Sequence, residues 1–303
     1  MKCLAKYIGK NILYGLISII IITCFYHYSY ASEQPVTLDS ISDGLSTNEA
    51  AFTNLRLEYI LQWRLRLEDG SDVFHRIEAV YAKKTPGNLQ YLEQNFSRIN
   101  VASGEVNVFT DGWASFDGNA TYTLNKNVRA GKPKRGFVRL GYDPNDFSTT
   151  SIYFIPHSNI WNQGRQSLAT FIRKNKETLK VEQGMESIEG VPSIKLAGNF
   201  AEGKLMMKLW ISPQRNFLPI KRQVYNTKDG KLMSETVLSN LVQLPNGLWF
   251  PKSIRFGSPD PEWAIYQEIT NISIEPIPED FFKPAFPEGT EVVDEVLGLR
   301  YEK

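Results

Sequence analysis

The sequence predicts an α+β protein that is mainly antiparallel β: an incomplete, open β-barrel of about a dozen strands, with a few short helices covering its concave face. Three observations lead there. Five strand-like runs joined by short turns fill the chain from Lys204 to Ile274. A single run, Asn54–Leu67, alternates apolar and polar residues along its whole length. Only two stretches carry a helical period.

The five-strand region is the anchor of the reading. Its strands are Lys204–Ile211, Leu218–Tyr225, Leu232–Leu244, Leu248–Phe256 and Trp263–Ile274. Asp229-Gly230 and Asn246-Gly247 supply the positive-φ positions that tight reversals need. Turns this short join only antiparallel neighbours, because a parallel pair needs a crossover of roughly a dozen residues. This half of the chain is therefore a meander.

Taken from the front, Pro35–Ala51 places Leu38, Ile41 and Leu45 on one helical face. Asn54–Leu67 follows. Leu55, Leu57, Tyr59, Leu61, Trp63, Leu65 and Leu67 alternate with Arg56, Glu58, Ile60, Gln62, Arg64 and Arg66, which gives one dry and one wet face. At roughly 3.3 Å per residue this strand exceeds about 40 Å, a length that suits a strongly curved sheet. Phe74–Lys83, Asn88–Phe96, Glu105–Phe109 and Ala120–Leu124 read as further strands, with turns at Asp69-Gly70, Pro86-Gly87, Asp111-Gly112 and Asp117-Gly118. Lys126 to Arg139 holds six basic residues and no acid, and reads as a basic loop. An aromatic segment follows, with Tyr142, Phe147, Tyr153, Phe154 and Trp161. Arg165–Lys176 reads as a helix, and Glu177–Val181 and Ser193–Phe200 as strands ahead of the meander. In the tail from Pro276, four prolines leave no regular ladder up to Thr290, and Phe281, Phe282 and Phe286 are expected to plug onto the sheet. With no disordered linker and no internal repeat, residues 32–303 read as a single domain ending in the Pro-rich tail 276–303.

Residues 1–31 have the build of an export leader. Lys2, Lys6 and Lys10 precede the apolar run Ile12–Cys24, and Ser29-Tyr30-Ala31 offers small residues for cleavage. Two other fates are open: retention as a membrane anchor, since Asn11–Ala31 is uncharged and about as long as a spanning helix, or lipidation at Cys24. Both cysteines, Cys3 and Cys24, lie in this segment, so the remainder has no disulfide although export would permit one. That favours a bacterial periplasmic setting. The chain has 34 basic and 33 acidic side chains; without the three leader lysines the balance becomes −2, which gives no pull toward nucleic acid.

Chemistry is hard to find. Beyond the leader only His75 and His157 remain, with no metal-ligand spacing, no nucleophile elbow and no glycine-rich nucleotide fingerprint, so no metal, cofactor or catalytic residue is expected. Asp111 and Asp117 stand beside Trp113 and Phe116, as glycosidase carboxylates can, but each precedes a glycine and reads as turn chemistry. A long curved sheet has an apolar concave face that is filled by side chains or holds a ligand. Its wall is expected at Leu57, Tyr59, Leu61 and Trp63, with Phe154 and Trp161 at the mouth or lid. Lys126, Arg129, Lys132, Lys134 and Arg135 are candidates for contact with an anionic partner.

The order of these parts resembles the periplasmic lipoprotein-carrier superfamily (LolA/LolB-like, shared with the sensor domain RseB). The resemblance rests on the leader, a short helix, the long first strand Leu55–Leu67, the helix Arg165–Lys176, and Lys208-Leu-Trp-Ile-Ser-Pro returning through Leu218-Pro-Ile-Lys-Arg. It implies an open antiparallel barrel wrapped over helices, whose hollow takes the acyl chains of lipids or lipidated proteins without catalysis. The expectation is thus a non-enzymatic envelope protein that binds lipid or a lipidated protein. The alternative is an envelope sensor or scaffold that meets a protein partner or membrane surface through 126–161.

Overall fold

The computed structural model describes residues 36–85, 87–125, 134–141 and 167–303; residues 1–35, the basic residues 126–133 and the aromatic segment 142–166 lie outside them. Helix α1 spans Leu38–Ala51 and α2 spans Leu168–Lys174. The strands before α2 are β1 (Asn54–Arg66), β2 (Asp72–Lys84), β3 (Leu89–Asn100), β4 (Val106–Phe116), β5 (Ala120–Asn125) and β6 (Lys134–Leu140). Those after it are β7 (Leu179–Ile188), β8 (Val191–Phe200), β9 (Leu205–Ser212), β10 (Leu218–Asn226), β11 (Leu232–Gln243), β12 (Trp249–Gly257) and β13 (Ala264–Ser273). The tail adds β14 (Thr290–Asp294) and β15 (Leu299–Glu302).

The 15 strands of the described residues join one open sheet in the order β15-β14-β6-β5-β4-β3-β2-β1-β13-β12-β11-β10-β9-β8-β7. Among the described residues every strand pairing is antiparallel except β14 with β6. The meander β9–β13 forms as its turns dictate. Strand β1 lies against β2 from Asn54↔Lys84 to Arg66↔Asp72 and against β13 on its other side, with a bulge between Glu58 and Tyr59. One strand therefore joins the N-terminal hairpins to the C-terminal meander.

The period of two in β1 sorts the core. Leu55, Leu57, Tyr59 and Leu61 are buried with Ile77, Ala79 and Tyr81 of β2, Leu92 of β3, Ala114 and Phe116 of β4, and Leu238, Ile254 and Ile269 of the meander. We call this the Tyr59 face. The opposite, Trp113 face is also dry over β2–β6, where Ala82, Tyr91, Trp113, Leu124 and Val138 form a second cluster. The tail covers it through Ile277, Phe282, Phe286 and Val292. Buried Ser115 holds the tail, its Oγ 2.7 Å from the Phe282 carbonyl oxygen. Gly136 makes the fit, since a Cβ there would lie 2.6 Å from the Phe286 ring.

Helix α1 buries Ile41 and Leu45 and docks onto the β9–β10 turn. Asn48 Nδ2 donates to the Asn216 carbonyl at 2.8 Å, and the bare Gly44 receives the Phe217 ring. Arg173 of α2 ties the helices together, reaching Asp43 Oδ1 at 3.0 Å and Ser46 Oγ at 2.9 Å. The α2 N-terminus is capped by Ser167 Oγ, which accepts from Thr170 N–H.

At the β7 edge the pairing slips between Val181 and Met185 around Gly184. There Lys195 bridges Glu182 and Glu186 at 2.7 and 2.6 Å.

The structure corrects several expectations. The described residues form 15 strands rather than about a dozen. Asp111-Gly112 is not a turn: β4 runs through it, because β3 and β5 both pair with this segment and the turn propensity yields to the ladder. Lys134, Arg135 and Arg139 belong to strand β6 rather than to a loop. Beyond Thr290 the tail returns to the sheet, β14 beside β6 and β15 beside β14.

Removing the Phe282 ring should leave a void at the centre of the Trp113-face cluster. Phe282→Ala is expected to lower the unfolding free energy by about 3–5 kcal/mol, measured by denaturant unfolding. A loss below about 1 kcal/mol would mean that the tail is only loosely seated.

Candidate functional site

The Tyr59 face is the candidate site, because there an apolar wall spans strands of both halves of the sheet. Cross-strand pairing sets its rows. In one row Ile77, Leu61, Gln267, Ile254 and Leu238 lie side by side from β2 to β11. The next row toward the Arg66 end runs His75, Trp63, then Ile265, Phe256 and Thr236. Leu57, Tyr59 and Leu61 are buried as members of this face, and Trp63 packs against it partly exposed. Phe154 and Trp161 lie outside the described residues, so the structure does not place them.

At one end the wall is aromatic. The Trp63 and Phe96 rings stack with centroids 6.1 Å apart, and His75 meets both edge-on at 4.9 and 5.1 Å. Arg98 Nε donates to His75 Nε2 at 3.2 Å, which makes that nitrogen the acceptor of a neutral imidazole. Burial, with the neighbouring Arg98 charge, holds the His75 pKa below its ordinary value.

Sequence reasoning missed the polar atoms within the wall. Gln267 is 2% exposed, and neither its Nε2 nor its Oε1 has a hydrogen-bond partner among the described residues. Thr236 Oγ1 is likewise buried and unpartnered. The signal was present: in Ala264-Ile-Tyr-Gln-Glu-Ile the dry register reads Ile265, Gln267, Ile269, with an amide where a third aliphatic residue belongs.

On the Trp113 face two grooves open. One, of about 530 Å³, is lined by Glu58, Glu78, Glu93, Asn95 and Asp111. The other, of about 460 Å³, is lined by Arg76, Ser253, Arg255, Tyr266 and Glu268. Beside the second, Glu235 collects Lys221 at 3.0 Å, Gln223 Nε2 at 2.7 Å and Arg255. Burial pushes its carboxyl up, but Gln223, Lys221 and Arg255 outweigh that and hold its pKa below the ordinary value. Asp117 is turn chemistry, as its sequence context predicts: its carboxylate accepts from the N–H groups of Asn119 and Ala120 at 2.9 and 2.8 Å. Among the described residues no group of three His, Cys, Asp or Glu side chains could hold a metal ion. No helix among them is long and apolar enough to cross a membrane. Of the proposed anionic-partner residues, Lys126, Arg129 and Lys132 lie outside the described residues. Lys134 and Arg135 are exposed on β6, and Arg135 stands 3.7 Å from Glu291 of β14.

No family model matches the sequence, and no curated protein does. Solved structures do. The chain is similar to a putative outer membrane lipoprotein-sorting protein domain from Vibrio parahaemolyticus at 10% identity, over 81% of this chain and 96% of that one, with a TM-score of 0.39. It is similar to a LolA superfamily protein from Nitrosomonas europaea at 13% identity, over 82% and 97%, with a TM-score of 0.38. A DUF1329 family protein from Desulfovibrio piger matches at 12% identity, over 81% and 96%, with a TM-score of 0.40.

Because folded His75 resists protonation, the unfolded chain binds a proton that the folded chain does not as pH falls below about 6.5. This contribution to stability is present above that pH and is lost below it. Melting temperatures at pH 7.5 and 5.0 should therefore differ less in His75→Phe than in the natural protein. An identical difference would show that His75 does not titrate in this range.

Proposed function

We propose that this chain is an exported, non-enzymatic binding protein of the bacterial envelope that holds the acyl chains of a lipid or lipidated protein against the Tyr59 face. The observation that carries the reading is the make-up of that face: one apolar surface reaching across strands of both halves of the sheet, interrupted only by isolated polar groups. Ligand sites for apolar molecules are built this way, with an aliphatic and aromatic lining and a few polar groups that set orientation. Leu57, Tyr59, Leu61 and Trp63 would form the wall. The leader supports export and the near-neutral charge supports no role on nucleic acid.

The mature chain, purified from cells and examined by native mass spectrometry with lipid extraction, should carry acyl lipid at near one-to-one. Trp63→Glu puts a carboxylate into the wall at its partly exposed end, and a folded variant should lose most lipid uptake. Full uptake by that variant would remove the wall assignment, and a wild-type protein that neither carries nor takes up lipid would remove the proposed function.

A further inference from the structure

We infer that Gln267 is a polar recognition point within the apolar wall, built for an acyl chain that carries an amide. The inference rests on the proposed acyl-chain reading and names the ligand chemistry within it. Gln267 belongs to β13, the strand that pairs with β1 on one side and β12 on the other. Its register neighbours are Leu61 and Ile254, which are 3% and 1% exposed. Aliphatic neighbours offer it no hydrogen bond, and both ends of its amide are buried without a partner among the described residues.

A buried amide with one unmet end is a known cost of folding, and two unmet ends roughly double it. A leucine or methionine here would carry no such cost, so the folded apoprotein gains nothing from the amide. A ligand gains from it. The side chain presents a donor, Nε2–H, and an acceptor, Oε1, side by side in a low-dielectric wall, where each hydrogen bond is strengthened. The complementary group must itself pair an acceptor with a donor. A primary amide does so, its carbonyl accepting from Nε2 and its syn N–H donating to Oε1, whereas the N–H and C=O of a trans secondary amide point in opposite directions. An ester has only acceptors and satisfies one end. A bare hydrocarbon satisfies neither. Thr236 Oγ1 is another buried atom on this face without a partner among the described residues, two strands away on β11 and one row toward the Ala264 end of β13. It provides another polar point along the path of a bound chain.

The test uses the mature protein and three probes: N-phenyl-1-naphthylamine, a fluorescent apolar dye, together with dodecanamide and methyl dodecanoate as competitors that displace it. The expected result is dye binding with the amide displacing about tenfold more effectively than the ester, the worth of one added buried hydrogen bond. In Gln267→Met, which keeps length and volume, the amide preference should fall to parity and the melting temperature should hold or rise. Equal displacement by amide and ester in the natural protein overturns the inference while leaving the apolar hollow in place, and needs no variant to fold. An amide preference that survives in Gln267→Met also overturns it. Dye that does not bind the natural protein at all removes the hollow, and with it the inference.

Discussion

The pairing of β1 with β13 is the contact on which the rest of this fold depends. Thr270 Oγ1 donates to the Glu58 carbonyl across a sequence separation of 212 residues, and the ladder beside it ties the two ends of the sheet's connectivity into one surface. Without it the molecule would be two unrelated stretches, the hairpins β1–β6 and the meander β7–β13. With it, Leu61 from the first stretch and Ile254 from the second become neighbours through Gln267, and a continuous apolar wall exists. The alternation that qualifies β1 for this place is visible at every second residue from Leu55 to Leu61, all buried.

Both faces of the sheet are dry. On the Trp113 face the chain supplies its own cover: Phe282 and Phe286 of the tail close over Trp113, Leu124 and Val138, and Ser115 fixes their backbone. On the Tyr59 face the polar residues are the informative ones. A core that only needed to be filled would place an aliphatic side chain at position 267. Charge clusters lie in the grooves of the Trp113 face and in the Glu235 cluster with Lys221 and Arg255, while on the Tyr59 face Arg98 stands against His75.

Much of the fold could be read before the structure. The meander strands fall within a residue or so of their turn signals, because Asp229-Gly230 and Asn246-Gly247 leave little freedom. The phenylalanines of the tail were legible as plugs. Local propensity misled where a long ladder outweighed it, as at Asp111-Gly112 inside β4. β14 and β15 went unread because β14 enters the sheet in parallel beside β6, and no short-range signal announces a partner more than a hundred residues away. Of the candidate site, Leu57, Tyr59, Leu61 and Trp63 were legible from alternation. Gln267 was not singled out, because an exception within a dry register acquires meaning only when its neighbours on the adjoining strands are known.

An open sheet leaves two terminal strands, and any such strand is a template on which another polypeptide can zip up. At the β7 end the pairing slips between Val181 and Met185 around Gly184, and Lys195 stands there between Glu182 and Glu186. At the other end β15 is only four residues long. Neither border offers a long, flat, uncharged row of amides. The margins of the sheet are thus guarded against pairing with a second copy, where fibril growth would otherwise begin.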